Sequence, residues 1–466
     1  MKIISILLFL SALAAPASSQ LFDDGFYIPC GIAPVKVIAA ELDGQPGIDL
    51  VMADDAAGAI SILLNQGDGT FGTPTIISFD PAVGTYTLCA GDLDGDLDND
   101  LVVGHGTTFS VLANDGAAGF TSGPTLPTNG YWIARETCAA DIDGDGNVDL
   151  IWGEPNLGGG LWLAMNEGET FATPVELFHS HVSDPVVANF DGDSHLDIAF
   201  QRSAQEEVVV LLGLGDGTFQ APVSYTVPAS SSLVDLAAND LDGDTDVDLI
   251  VLDGNYSAYV WLLTNLGDGT FGAITNLFST PPNGGPSVIA LDLDGSGCGD
   301  VVSVGQWRDV EINDCVGEYT QENPDPIRTT RDVAATDLDG DGDLDLVFAA
   351  SGVDSVLVNL NTRFEVSAAP DDLPGSRLVG CYPNPFNPQT TIEFELRDRA
   401  AVDLRVFDLS GRTVRSLLAE TTLNSGRHLA VWNGRDDAGL SVASGIYFYR
   451  LEAGDYSETK RMVHIK

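Results

Sequence analysis

Along residues 21–370 the chain alternates short apolar runs with Gly-, Asn- and Asp-rich breaks, and helical periodicity is nearly absent. Residues 149–153 (DLIWG) and 160–166 (GLWLAMN) show the pattern: apolar runs too short for helices and bounded by turn residues, the signature of buried strands. A nine-residue acidic pattern precedes the first run of each such unit. Its copies begin at Glu41, Asp92, Asp141, Asn189, Asp240, Asp292 and Asp337, at intervals of 45 to 52 residues. A period near fifty is the length of a four-stranded propeller blade, and seven units fall within the usual range for a closed ring. A second recurrent turn follows, reading NQGDGTFG from Asn65, NEGETF from Asn166, GLGDGTF from Gly213 and NLGDGTFG from Asn265, with weaker versions ending at Phe120, Tyr319 and Phe364. The segment LFDDGFYIP from Leu21 resembles this turn but has no blade before it. It is expected to supply an outer strand to the seventh unit and close the ring.

The pattern changes after residue 368. A stretch bearing Pro, Asp and Gly (369–377) reads as a linker, and in TIEFEL and IYFYRL polar and apolar residues alternate as in half-buried strands. With turns at LSGR and NGRDDAG, residues 378–466 read as a small immunoglobulin-like β-sandwich. The expected fold class is all-β: a seven-bladed β-propeller over 20–368, then the sandwich. At the other end, Lys2, an apolar run over 3–13 and small residues at Ala15, Ala17 and Ser19 predict a secretory signal peptide at 1–19. No other stretch approaches the roughly 20 apolar residues of a transmembrane helix. A monomer is expected.

Charge sharpens this picture. There are 69 Asp and Glu against 20 Lys and Arg, a net charge of −49, which repels phosphate backbones and excludes nucleic acid as a partner. The excess is not spread evenly, since residues 377–466 hold 12 basic and 11 acidic side chains. In the repeats, 28 acidic residues occupy positions 1, 3, 5, 7 and 9 of the nine-residue loops. Carboxylates at 1, 3, 5 and 9 of a tight turn can surround one cation, with the position-7 carbonyl adding an oxygen. An all-oxygen set suits Ca²⁺, which takes 6 to 8 oxygens in flexible geometry, and no recurrent His or Cys invites a transition metal. Glycine at position 4 supplies the positive φ that turns the ligands inward.

The expected calcium residues are Asp92, Asp94, Asp96, Asp98 and Asp100 in the second loop, and Asp141, Asp143, Asp145, Asn147 and Asp149 in the third. The fourth offers Asn189, Asp191, Asp193 and Asp197, and the fifth Asp240, Asp242, Asp244, Asp246 and Asp248. The sixth offers Asp292, Asp294 and Asp300, with Ser296 at position 5, and the seventh Asp337, Asp339, Asp341, Asp343 and Asp345. The first loop, with Glu41, Gln45 and Pro46, is expected to have lost its ion.

DxDGDGxxDL paired with NxGDGTFG resembles the FG-GAP repeat family, the propeller architecture of integrin α-chain heads and many bacterial secreted proteins. The resemblance implies seven blades and Ca²⁺ in the hairpin between the first and second strands of a blade. The strings YPNPFNPQTTIEFEL and WNGRDDAGLSVASGIYFYRL are similar to C-terminal sorting domains of the type IX secretion system and to the Ig-like domain of flagellar hook-capping proteins. The sorting resemblance implies contact with the secretion machinery and a secreted or outer-surface location.

No nucleophile elbow, HExxH, P-loop or Cys–His pair is present, and His179 with His181 reads as a surface pair. Among the cysteines, Cys89 with Cys138 and Cys298 with Cys315 are candidate disulfides. Basic and aromatic residues concentrate near turns of the face opposite the acidic loops: Trp132, Arg135, Arg202, Tyr256, Trp307, Arg308, Arg328 and Arg331, with Lys36 nearby. That face is expected to bind an extracellular glycan or protein. The expected function is a non-catalytic binding or adhesion module; the alternative is a secreted polysaccharide lyase or hydrolase using the same face.

Overall fold

The computed structural model describes residues 21–464 apart from 24, 81–83, 129–135, 156–157, 169, 229–232, 255–257, 281–285, 306–307, 316, 323–328, 363–376, 383–385, 387–389, 397–398, 408–411, 424–425, 436–441, 444 and 455. The leader segment and most of the linker lie outside the described residues. The chain divides into two compact units, 1–364 and 365–466.

The first unit contains seven four-stranded antiparallel sheets. Their inner strands are Pro34–Ala40, Thr85–Gly91, Thr137–Ala140, Ser183–Ala188, Leu233–Asn239, Ser287–Leu291 and Thr330–Thr336. Each inner strand touches the next, and the last touches the first, so the sheets are the blades of a closed propeller. Blades 1 to 7 follow this order. Second strands such as Asp49–Asp54 and Asp248–Asp253 are buried along their whole length, because each blade is stacked between two others. That is why they read as continuous apolar runs instead of alternating ones. Outer strands such as Thr75–Ser78 are mostly exposed.

The core is accordingly divided into seven apolar clusters, one between each pair of neighbouring blades. The residue at loop position 2 (Leu42, Leu93, Ile142, Phe190, Leu241, Leu293, Leu338) is at most 4% exposed and belongs to the cluster shared with the following blade. Burying such a side chain stabilises by about 1.5–3 kcal/mol.

The N-terminal segment does close the ring. Strand Phe26–Pro29 pairs antiparallel with Ser355–Asn359, placing Phe26 opposite Val358, and so forms the outer strand of blade 7. Beside it Phe22 bridges Asn361, and the Thr362 amide donates to the Leu21 carbonyl at 2.6 Å.

The second unit is a β-sandwich. One sheet has three strands, Arg377–Tyr382, Thr390–Leu396 and Gly426–Trp432; the other has four, Thr413–Leu423, Ala400–Phe407, Gly445–Ala453 and Tyr456–His464. In Ala400–Phe407 every second side chain is buried, as the alternation predicts. Phe394, Leu404, Trp432 and Tyr449 come from both sheets into one core. No described helix is long and apolar enough to cross a membrane.

Of the two candidate disulfides, Cys298–Cys315 forms. Cys89 and Cys138 do not pair: both are free thiols, and the Cys138 Sγ donates to the Pro185 carbonyl at 2.9 Å.

Candidate metal centres

All seven acidic loops follow an inner strand directly and share one scaffold of side-chain-to-backbone hydrogen bonds. The position-9 aspartate anchors it. Asp49, Asp100, Asp149, Asp197, Asp248, Asp300 and Asp345 are at most 1% exposed. One carboxylate oxygen of each accepts the amide of position 2 in its own loop, at 2.6–3.1 Å. The other accepts the first amide of the second turn, at 2.7–2.8 Å. Position 3 likewise accepts the position-5 amide in every loop, at 2.8–3.3 Å.

Position 4 is a glycine with φ of 63–85° in all seven loops, as expected. Position 6 makes the same demand, which the sequence reading overlooked. Its φ is 79–95° in loops two to seven, although Leu97, Ser194 and Thr245 are not glycines. In five of these loops the position-6 amide donates to the second oxygen of the position-1 aspartate, which holds the left-handed conformation in place. Pro46 stands at this position in the first loop and has no amide hydrogen to give.

These bonds bring carboxylate oxygens of different loop positions close together. Asp92, Asp94 and Asp96 present carboxylate oxygens within 4.8 Å of one another, as do Asp141, Asp143 and Asp149, Asp240, Asp242 and Asp248, and Asp292, Asp294 and Asp300. Glu41, Asp43 and Asp49 converge in the same way, so the first loop keeps a three-carboxylate cluster despite its altered sequence. Such clusters can hold a metal ion. Burial pushes the Asp49 and Asp248 carboxyls up to about 6 and those of Asp300 and Asp345 up to about 7, against the backbone amides that hold them down. Neighbouring loop carboxylates push in the same direction as burial. Burial and crowding thus disfavour full ionisation of these position-9 carboxyls, and a cation held at the cluster would offset that.

Position-7 side chains differ between loops: Asn147 Nδ2 donates to Asp145 within its own loop, whereas others turn towards the second turn of the same blade. The Asp98 and Asp246 carboxylates fill the space a side chain would need at Gly116 and Gly267. In blade 6 the same two places are Cys298 and Cys315, so the disulfide covalently fixes a contact that blades 2 and 5 make by packing.

The second turn carries residues that sequence reasoning took only as turn formers. Asn65, Asn114, Asn166, Asn265, Asn313 and Asn361 are at most 5% exposed. Each donates through Nδ2 to the position-8 carbonyl of its own loop and to the position-2 carbonyl of the preceding blade, at 2.6–3.2 Å. Blade 1 is tied to blade 7 in this manner by Asn65 and Leu338. Blade 4 has Gly213 instead and lacks the tie. The recurring Asn at the head of the turn was the available signal.

The opposite face is only partly described: Trp132, Arg135, Tyr256, Trp307 and Arg328 lie outside the described residues. Arg331 is exposed. Arg202 is partly buried, 2.7 Å from Glu207 and over the Phe178 ring. For Arg308 the expectation is corrected. It is 4% exposed, with its guanidinium over Phe348 and hydrogen-bonded to Asn359, because the long side chain folds back between blades 6 and 7. Lys36 is also buried, against Glu136 and Asp332. His179 is exposed and pairs with Glu176 at 2.7 Å.

Comparison with known proteins agrees with this architecture. The FG-GAP-like repeat model matches residues 42–103, 92–152, 189–251 and 240–303, each match spanning two consecutive acidic loops. The secretion system C-terminal sorting domain matches residues 380–466. No curated protein matches the chain. Among solved structures, a chain from the complex of BBS1N with ARL6DN, soaked with lead, aligns with a TM-score of 0.53 at 11% identity, over 74% of this chain and 98% of that one. An Agrocybe aegerita lectin that recognises non-reducing terminal N-acetylglucosamine aligns with a TM-score of 0.49 at 20% identity, over 63% and 80%. PorZ, a surface component of the type IX secretion system of Porphyromonas gingivalis, aligns with a TM-score of 0.44 at 15% identity, over 90% of this chain and 58% of PorZ. The chain therefore carries FG-GAP-like repeats in its propeller and ends in a secretion system C-terminal sorting domain, which directs it through the type IX system to the cell surface or beyond.

Proposed function

We propose that the protein is a calcium-stabilised binding or adhesion module whose partners are extracellular glycans or surface proteins. The donor set is oxygen throughout, which suits Ca²⁺ better than softer or more strictly octahedral ions. Positions 1, 3, 5 and 9 of each loop would hold the ion: Asp141, Asp143, Asp145 and Asp149 in blade 3, for example. The bound ion would supply charge balance to the loop.

One observation carries the binding reading. The loop carboxylates are turned onto their own backbone, at positions 3 and 9 in all seven blades, so their chemistry serves the loop. Recognition then falls to the opposite face, where the exposed Arg331 offers a guanidinium suited to carboxylate or sulfate and Arg202, already paired with Glu207, would have to share its own. The purified full chain, probed on arrays of polysaccharides and surface proteins with and without Ca²⁺, tests this. Retention without turnover, weakened by Arg202→Ala with Arg331→Ala, is the expected result. Product formation from a retained polysaccharide would assign a lyase or hydrolase instead. Retention indifferent to both substitutions would remove the face from consideration.

A further inference from the structure

Counting back four residues from the end of each inner strand gives Lys36, Thr87, Glu136, Asp184, Asp235, Ser287 and Asp332, one residue per blade. They share one register position, so the closed ring brings them to one level of the central channel as a polar collar. The collar is internal. Thr87, Asp184, Asp235, Ser287 and Asp332 are at most 5% exposed, and the side chains of Lys36 and Glu136 are 12% and 25% exposed. A cavity of about 350 Å³ is lined by Lys36, Glu136, Asp235, Ser287 and Asp332.

Most bonds of the collar run between blades. The Lys36 Nζ of blade 1 is bonded to Glu136 of blade 3 and lies 3.4 Å from Asp332 of blade 7. Thr87 of blade 2 meets Thr137 of blade 3 at 3.1 Å. Asp332 accepts the Val37 amide of blade 1 and the Ser287 hydroxyl of blade 6, at 2.9 and 3.0 Å. Asp235 of blade 5 accepts the Val288 amide of blade 6 at 2.7 Å. Asp184 of blade 4 accepts from Gln201. One ammonium thus faces four carboxylates, and full ionisation leaves three negative charges in a buried ring.

We propose that the collar is a pH-operated clasp: Lys36 alone balances four largely buried carboxylates, Glu136, Asp184, Asp235 and Asp332, and the excess negative charge left when all of them ionise loosens the ring as pH rises. Glu136 is faced by Lys36, Asp332, Asp184 and Asp235, and by the thiols of Cys89 and Cys138. Burial pushes its carboxyl up to about 7, even though Lys36 acts to lower it. Burial also raises Asp235, with Asp184 and Glu136 adding to the effect. On Lys36 burial acts downward, but Asp332 and Glu136 prevail and hold its ammonium above the usual range. Glu136 titrates near 4.5 in the unfolded chain, so its contribution is fully present below that pH and is lost as pH rises to about 7. Asp235 acts in the same sense, while Lys36 stays charged throughout.

Thermal unfolding of the full chain at pH 5.5 and 8.0, with Ca²⁺ saturating so that the acidic loops remain ionised, tests the clasp. Glu136→Gln is neutral at both values. It is expected to raise the Tm at pH 8.0, relative to pH 5.5, by ~4 °C or more compared with the parent. Asp184→Asn, which removes one charge and keeps the shape, is expected to shift the difference in the same direction. If both variants that fold keep the parent's Tm difference between the two pH values to within 1 °C, the collar is a static polar ring and the proposal is wrong. If Glu136→Gln does not fold, Asp184→Asn alone decides.

Discussion

Asn265→Ala tests whether the asparagine of the second turn is an inter-blade tie or only a turn former. Asn265 is 1% exposed, and its Nδ2 bonds the Phe190 carbonyl of blade 4 at 2.8 Å and the Val247 carbonyl of its own loop at 3.0 Å. Its Oδ1 also accepts the Gly267 amide at 3.1 Å. Alanine leaves two buried carbonyls without this donor, and a buried group stripped of its partner costs about 1–3 kcal/mol. Carbonyls tolerate partial satisfaction better than amides do, which places the sum near the lower end, ~2–3 kcal/mol. At ~2 °C per kcal/mol for a large domain, the Tm should fall by about 4–6 °C. The assay is differential scanning calorimetry of the full chain with Ca²⁺ held constant. Asn265→Asp is the sharper control, because it keeps the Gly267 bond and the shape but turns a carboxylate oxygen towards two carbonyls. It should destabilise at least as much as alanine. A Tm for Asn265→Asp equal to the parent's would refute the tie.

Three other outcomes follow from the same loops. Gly213→Asn, which restores the residue found in the other blades, should lower the Tm, because a Cβ there would lie 2.2 Å from the Leu196 carbonyl; a rise would show that blade 4 can reopen to take the tie. Thr245→Gly should raise the Tm by ~1–2 °C, since a β-branched residue is strained at its φ of 81°, a left-handed conformation that costs about 1–2 kcal/mol outside glycine, offset in part by chain entropy; calorimetry showing a fall would mean that its methyl group contributes contacts worth more than the strain. Chelation should lower the Tm by more than one weak site could, since each site at a hundred times its Kd adds about 2.7 kcal/mol; an unchanged Tm with EDTA, in protein first shown by metal analysis to contain Ca²⁺, would exclude calcium as a stabiliser.

What the sequence made legible is local in the chain. A loop beginning DxDG and ending nine residues later in DL carries its own instructions, as does an apolar run with no alternation, and both were readable at Asp141 and Asp248. The closing strand Phe26–Pro29 was readable because it repeats a pattern out of place. What stayed hidden is what passes between blades. Asn265 bonds a carbonyl 75 residues away, and nothing in its own turn says so. The collar escaped because Lys, Thr, Glu, Asp and Ser do not look like a repeat until each is counted back from its own strand end. Arg308 was misplaced because a side chain that starts at a turn can reach back over Phe348 when the next blade offers Asn359 as an acceptor. Position 6 was missed since Leu97, Ser194 and Thr245 give no sign of a glycine-like backbone.

The pairing of Phe26–Pro29 with Ser355–Asn359 has a topological meaning as well as a stabilising one. Because Phe22 bridges Asn361, the chain enters and leaves the propeller at one spot on the rim of blade 7. The halves of this seam are separated by nearly the whole unit, so closing it carries a large loop-closure cost and it is expected to shut late during folding. Until it does, the buried strand Ser355–Asn359 is an open apolar edge, the kind of surface on which chains stick to one another. The few residues that arrive first in the chain are thus the cover for the edge that arrives last.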